Sequence, residues 1–253
     1  MTLPVSIERH TSADRINAVI NDPYVRSWVA PGTETLDITK AVADENNILL
    51  MGDHGGCMFF RIQAGVYEVH TQVERAGRGE WVVGLTTACA HWMFTRTDAY
   101  EVLTRVPNGH IAARAAAIEA GMKYEFTRPG ECLFRGRMVD VHIYSCRIQD
   151  WVQTAPRLVE IGRTFHDMLH READRLGLTD AHDDDENHNR YVGAAVEMIR
   201  AGKLVKGVAF YNRWAIVSRH DPIKILSQAP PTVEIDHGLV ITMDGNEFRV
   251  TQP

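Results

Sequence analysis

Hydrophobic positions along the chain switch between a period of two and a period near 3.6, and each switch predicts an element boundary. Val5 to Arg9 reads as a short strand. Thr11 with Asp14 three residues on predicts a capped helix start, with Ile16, Val19 and Ile20 on one face. Pro23 and the Pro31-Gly32 pair predict loop. Three strands follow, Asn47 to Gly52, Gly56 to Ile62 and Val66 to Val73, joined at His54-Gly55-Gly56 and Ala64-Gly65. Turns this short predict an antiparallel meander.

The third strand ends at Glu74-Arg75-Ala76-Gly77-Arg78-Gly79, after which Trp81, Leu85, Ala88 and Trp92 recur at helical spacing. A strand thus passes through a glycine turn into a helix. Tyr100, Val102, Thr104 and Val106 alternate as a strand, and Ile111 to Ala120 is an alanine-rich helix stopped by Gly121. Lys123 to Arg128, then Val139, Val141 and Ile143, close this half as strands. The predicted order is β-α-β-β-β-α-β-α-β-β over residues 1–148.

Beyond Ile148 the pattern changes, and a second, smaller α+β domain is expected over residues 149–253. Leu158, Ile161, Phe165, Leu169 and Leu176 mark a long amphipathic helix, and an acidic stretch leads into a second helix ended by Gly202. Gly207 to Tyr211, Ala215 to Ser218 and Ile223 to Leu226 read as short strands. Leu239 to Thr242 and Glu247 to Thr251 are expected to pair across Asp244-Gly245. Trp151 reads as a wedge at the domain junction, and Trp214 as packing.

Composition narrows the class. With 253 residues, 45% hydrophobic and 24% charged, the chain can bury a core without staples. No apolar run is long enough to span a bilayer, and the N-terminal stretch lacks the pattern of a secretory signal, so a cytoplasmic location is expected. A net charge of −6 supplies no basic footprint for nucleic acid. Cys57, Cys89, Cys132 and Cys146 are far apart in sequence and read as buried free thiols.

The strand-to-helix turn carries chemistry. A helix N-terminus has unpaired N–H donors and a positive dipole end, and glycines let backbone approach phosphates. The turn at residues 74–79 resembles the Q/R-x-x-G-x-G/A pyrophosphate turn of the GNAT superfamily of N-acetyltransferases. The stretch from His110 to Met122 resembles that family's second signature, with Ala113 and Gly121 in place. The resemblance implies a mixed, mostly antiparallel central sheet flanked by helices. It also implies acetyl-coenzyme A held between two splayed strands, with Arg75, Gly77, Arg78, Gly79 and Glu80 as cofactor-binding residues. Three positions depart from the family pattern: Glu74 replaces Gln or Arg, His110 replaces Asn, and Ala117 replaces the tyrosine that protonates the departing thiolate.

Glu68 and His70 lie two apart on the strand before the turn, so both point to one face and are the candidate catalytic bases. Tyr67 and Tyr100 are candidate substitutes for the missing acid. His166, His170, His182 and His188 are weak metal candidates. His166 and His170 share a helix face with Arg163 and Asp174, the pattern of a solvated side, so no metal is expected.

Two functions are expected from different classes. One is an acetyl-CoA-dependent N-acetyltransferase acting on an amine acceptor, degenerate in part of its catalytic set. The other follows from a resemblance to GNAT-like chains of tailed bacteriophages. It implies a virion component, internal or at the head–tail junction, whose partners are other virion proteins in the particle or the host cytoplasm. A homo-oligomer is compatible with either.

Overall fold

The computed structural model describes residues 5–29, 35–134, 136–178, 185–235, 238–245 and 247–252. The chain forms two compact units, residues 1–93 with 98–148 and residues 94–97 with 149–253.

In the first unit, β1 (Glu8–His10) is followed by α1 (Asp14–Asn21), α2 (Pro23–Val29) and α3 (Thr39–Ala43). Then come β2 (Ile48–Gly52), β3 (Gly55–Gln63) and β4 (Val66–Val73), a 3-10 turn at Arg75–Gly77, α4 (Glu80–Arg96) and β5 (Glu101–Pro107). The set ends with α5 (Ile111–Glu119), β6 (Lys123–Phe134) and β7 (Arg137–Arg147). The predicted order holds, with α2 and α3 added.

Residue 23 was read as a breaker, yet it opens α2. Proline suits the first helical position because its missing N–H would have no partner there. Asp22 Oδ1 accepts the N–H groups of Tyr24 and Val25 at 3.0 and 3.2 Å, completing the start. At α1 the N-cap position is Ala13, which has no capping side chain, and Ser12 rather than Thr11 meets the helix start: its Oγ accepts the Asp14 N–H at 3.2 Å and donates to the Asp14 carboxylate at 2.7 Å. The Pro31-Gly32 pair lies outside the described residues.

The strands form one seven-stranded sheet in the order β1-β2-β3-β4-β5-β7-β6. Every pairing is antiparallel except β4 with β5. That parallel pair has three rungs, Val66↔Glu101, Tyr67↔Val102 and Glu68↔Leu103. Beyond Glu68 both strands continue unpaired with each other, β4 to Val73 and β5 to Pro107. One core cluster packs α1 (Ile16, Val19, Ile20) on Leu49, Met51 and Met58.

Tyr67 anchors the closed end of the parallel pair. Its hydroxyl donates to Asp98 Oδ1 at 2.7 Å, and burial together with this carboxylate pushes the phenol up to about 12. A raised pKa favours the protonated fold, so its contribution to stability is complete below the ordinary tyrosine range, near pH 10, and is lost as pH rises through about 12. Difference absorbance near 295 nm is expected to show one tyrosine ionising about two pH units above the exposed ones, and Tyr67→Phe is expected to remove that late step.

The second unit contains most of α6 (Ile148–Thr154), then α7 (Pro156–Arg175), α8 (Glu186–Arg200) and α9 (Leu204–Ser218). A four-stranded antiparallel sheet in the order β11-β10-β9-β8 follows, from β8 (Lys224–Gln228), β9 (Pro231–Glu234), β10 (Val240–Asp244) and β11 (Glu247–Thr251). The expected final hairpin is present, with Asp244↔Glu247 and Val240↔Thr251 as its end rungs.

The expected strands at residues 207–211 and 215–218 are instead helix. The stretch is rich in β-branched and aromatic residues, which favour strands on average. Leu204, Gly207, Val208, Tyr211 and Ala215 are the buried residues, however, and their spacing is that of one helix face. Packing of that face against a core containing Ile199, Val233 and Ile241 decides the outcome.

α7 and α8 cross closely. A Cβ on Gly162 would lie 2.1 Å from the Asn189 carbonyl oxygen, and one on Gly193 would lie 2.0 Å from that of Leu158. At both points the neighbour is backbone, so a side chain fits only if the two helices shift apart. Trp151, 5% exposed, packs on Phe94 with ring centroids 5.5 Å apart; both residues cluster with the second unit.

Candidate active site

Where β4 and β5 stop pairing, the first unit opens a cavity of about 680 Å3. Its walls are the free stretches of both strands, the first turns of α4, the inner face of α5, and Trp28 of α2. Glu68 and His70 line it, as do Arg78 and Gly79. Thr104 Oγ1 donates to the Val69 carbonyl at 3.1 Å and closes the crotch between the strands.

The turn between β4 and α4 is built in two parts. Gly77 is buried, its N–H donates to the Glu74 carbonyl at 3.0 Å, and a Cβ there would lie 2.7 Å from His54 Cβ and 2.9 Å from the Trp81 ring. Its smallness serves packing. Gly79 has φ +77°, and a Cβ there would meet nothing within 4 Å. This residue needs the left-handed conformation to turn the chain into α4, and it faces open space. The N–H groups of Gly79, Glu80 and Trp81 belong to the first turn of α4, where helix geometry supplies no acceptor.

Charge around the turn is arranged favourably for an anion. Glu74, the departure from the family pattern, forms an ion pair with Arg15 at 2.7 Å, and Arg15 also donates to the Asp53 carbonyl at 3.0 Å. Arg78 lies over the Tyr24 ring at 4.4 Å and near the Trp28 ring at 5.9 Å, and its buried Nε has no hydrogen-bond partner. Arg75 is exposed, 6.0 Å from the Tyr24 ring centroid, and Glu80 is exposed at the first position of α4. Of the five predicted cofactor residues, Arg78 and Gly79 line the cavity, whereas Arg75, Gly77 and Glu80 do not.

Glu68 and His70 do share a face, and they touch: Glu68 Oε1 and His70 Nε2 are 2.8 Å apart. The hydrogen bond from His70 holds the Glu68 carboxyl below the usual carboxylate range, with further help from Arg105 and Arg128. Phe60 meets the His70 ring edge-on at 5.1 Å. On the same side of the cavity, Arg105 pairs with Glu131 at 2.5 Å.

At the opposite wall, His110 caps α5, its Nδ1 accepting the Ala113 N–H at 3.3 Å. A histidine can therefore serve the capping role an asparagine would. Its ring stacks on Phe134 at 5.8 Å and contacts Trp28 at 4.8 Å. Ala117 lines the cavity but is 7% exposed, packed with Val106 and Tyr144. Neither Tyr67 nor Tyr100 lines the cavity.

Several site residues escaped the sequence reading. Trp28, Arg105 and Glu131 had no motif to mark them. All four cysteines line this one cavity, Cys57, Cys89 and Cys146 buried and Cys132 partly so. Nothing in their sequence spacing signals that convergence.

The histidine cluster is different from expectation. His166 is 3% exposed, so its face of α7 is buried rather than solvated. It contacts His188, ring centroids 4.8 Å apart, and His188 stacks on His220 at 4.4 Å and on Trp214 at 5.3 Å. His188 Nε2 lies 3.1 Å from the Tyr211 hydroxyl. The helical arc that carries Arg163 to solvent is wide enough to turn His166 toward α8. His170 is half-buried, and His182 lies outside the described residues. Among the described residues, no group of three or more His, Cys, Asp or Glu side chains is arranged to hold a metal. Nor is any described helix long and apolar enough to cross a membrane.

The fold of the first unit's sheet and helices has a counterpart among solved structures. The structure of spermidine N-acetyltransferase from Vibrio cholerae in complex with CoA and spermine matches 58% of this chain and 98% of its own, at 16% identity and a TM-score of 0.50. The chain shares the GNAT fold. A ribosomal-protein-S5-alanine acetyltransferase from Vibrio fischeri is a more distant match, covering 57% of this chain and 93% of its own at 10% identity and a TM-score of 0.47. No protein-family model matches the sequence, and no curated protein does. The GNAT fold here includes the splayed strands.

Proposed function

We propose that the first unit is a coenzyme A-dependent N-acyltransferase domain that moves an acyl group from a thioester to a primary amine. The observation that carries this reading is continuity: one cavity runs from Arg78 and Gly79, along the unpaired stretch of β4, to the Glu68–His70 pair. The Vibrio cholerae enzyme of the same fold was crystallised with CoA and spermine, which supports a coenzyme paired with an amine acceptor.

In this reading the diphosphate of the coenzyme sits at the first turn of α4, against the free amides of Gly79 and Glu80. Arg78 supplies the positive charge, its Nε donating to a phosphate oxygen. The thioester carbonyl reaches the crotch beside Glu68. The amine nitrogen attacks that carbon, a C–N bond forms, the C–S bond breaks, and the amine proton passes to His70. Glu68 accepts from Nε2 and so leaves Nδ1 of His70 as the proton acceptor. The thiolate takes its proton from water, because Ala117 offers no hydroxyl.

Isothermal titration with acetyl-CoA is expected to give saturable binding. Arg78→Ala is expected to weaken it roughly 10- to 100-fold, the loss of a charge-assisted hydrogen bond. Release of free CoA that depends on an added amine tests the transfer itself.

One observation favours a second reading. Ala117 removes the family's acid at a buried wall position, as expected of a domain kept for its shape. On that reading the chain is a component of a tailed-phage particle without turnover. Mass spectrometry of purified particles showing stoichiometric copies, together with no amine-dependent CoA release, supports it; turnover with absence from particles contradicts it.

A further inference from the structure

The two strands that part at the crotch carry groups of opposite charge on one face. In-register residues of neighbouring strands point the same way, so Leu103 of β5 faces as Glu68 of β4 does. Two residues further along each strand, Arg105 faces as His70 does. Arg105 therefore stands on the same face as the Glu68–His70 pair, on the facing strand, and all three residues line the cavity.

Arg105 is held by the protein through a single N–H group. Its Nη2 donates to Glu131 Oε1 at 2.5 Å, and Arg128 Nη1 donates to the same oxygen at 3.1 Å. Two cations thus share one anion, and a positive charge is left over. Among the described residues the Arg105 guanidinium makes no other hydrogen bond or ion pair, so one complete edge of two parallel N–H groups stays available. The side chain of Arg105 is 37% exposed and that of His70 48%, so both heads are open to a ligand. The charge is also felt at the crotch: after the His70 hydrogen bond, Arg105 and Arg128 help hold the Glu68 carboxyl below its usual range.

Folding stability does not account for this arrangement, because ion pairs as exposed as Arg105–Glu131 contribute little to it. Positioning does. Glu131 fixes the plane of the guanidinium, and two parallel N–H groups match the two oxygens of a planar carboxylate. A molecule with an amine at one end and a carboxylate at the other meets complementary charge at both strands. A polyamine would instead set a second ammonium beside the surplus positive charge.

From these observations we infer that the acyl acceptor is an amino acid, its amine at the Glu68–His70 pair and its carboxylate on the open edge of Arg105. The inference rests on the coenzyme reading above and names the acceptor class that reading leaves open. The transfer itself is unchanged: the C–N bond forms to the amine of the amino acid, the C–S bond breaks, and free CoA leaves.

The test is release of CoA from acetyl-CoA by the full chain, with the common amino acids, 4-aminobutyrate, their carboxamides, 2-aminoethyl phosphate and spermine as acceptors. The best amino acid is expected to exceed both its own carboxamide and spermine at least tenfold in kcat/KM, as loss of a charge-assisted bidentate contact costs roughly 10- to 100-fold. An amide as good as its acid, or spermine or 2-aminoethyl phosphate as the best acceptor, overturns the inference while leaving the transfer reading intact. No release with any amine overturns both. Arg105→Gln, shown to be folded by near-ultraviolet circular dichroism, is expected to cut the acid-to-amide ratio at least fivefold, a readout that a merely structural role would not move. A ratio unchanged in a folded Arg105→Gln overturns the placement of the carboxylate. The wild-type panel stands as the test if that variant does not fold.

Discussion

Alanine at Gly193 is expected to lower the denaturant midpoint of the second unit. Its Cβ would lie 2.0 Å from the Leu158 carbonyl oxygen, so α7 and α8 must move apart by more than 1 Å to admit it. Overpacking of this kind costs about 3 kcal/mol, because a helix backbone is stiffer than a side chain. Alanine gains about 1 kcal/mol of helix propensity over glycine, so the net loss is about 2 kcal/mol. Valine, with two further methyl groups, is expected to cost more. Gly162→Ala is expected to behave like Gly193→Ala, since it meets the Asn189 carbonyl at 2.1 Å. Gly177→Ala is the control: its φ of +72° strains an alanine, but nothing lies within 4 Å. That strain costs about 1 kcal/mol and leaves the crossing of α7 and α8 unaltered. Urea unfolding followed by circular dichroism at 222 nm separates these cases. A Gly193→Ala midpoint equal to wild type would mean that the two helices do not approach as closely as described.

His70→Ala is expected to reduce kcat/KM for acyl transfer 100- to 10,000-fold, the range for removal of a positioned general base. Coenzyme affinity is expected to change less than threefold, because the turn at Gly79 lies at the far end of the unpaired strand. Glu68→Gln is expected to have a smaller effect than His70→Ala, since glutamine still accepts a hydrogen bond and still orients the ring. The pH dependence follows from the carboxyl. Hydrogen bonding to His70 holds the Glu68 pKa below its ordinary value. Its contribution is therefore present above the ordinary carboxylate range and is lost as pH falls through the lowered folded value. Stability measured in acid is expected to fall at lower pH in wild type than in a His70→Ala variant, in which Glu68 loses that partner. Equal loss of kcat/KM in both variants would instead point to the carboxylate as the base.

Much of the first unit was legible from sequence because its strands alternate and its turns carry glycine. The meander from residue 47 to 73, the turn and the alanine-rich helix all follow from local pattern. The cavity was not legible, because four cysteines from β3, α4, β6 and β7 converge only through the order of strands in the sheet. Glu68 and His70 were visible as a pair on one face, whereas the role of Arg15 in neutralising Glu74 joins residues 59 apart in sequence. The second unit was read less well for a physical reason. The residues of α9 favour strand intrinsically, and burial against α8 and the small sheet overrides that preference. His166 shows the same limit. A histidine on an amphipathic helix fits either side, and only the neighbouring rings of His188 and Phe165 fix which.

The central claim is that unpaired amides at the start of α4 receive the diphosphate of the coenzyme. Titrating CoA into uniformly 15N-labelled protein and following backbone amide resonances tests it most directly. The account predicts saturable shifts concentrated at Arg78, Gly79, Glu80 and Trp81, with a second group along Val69 to Val73. Resonances unmoved at millimolar coenzyme, or shifts confined to other parts of the chain, would contradict it.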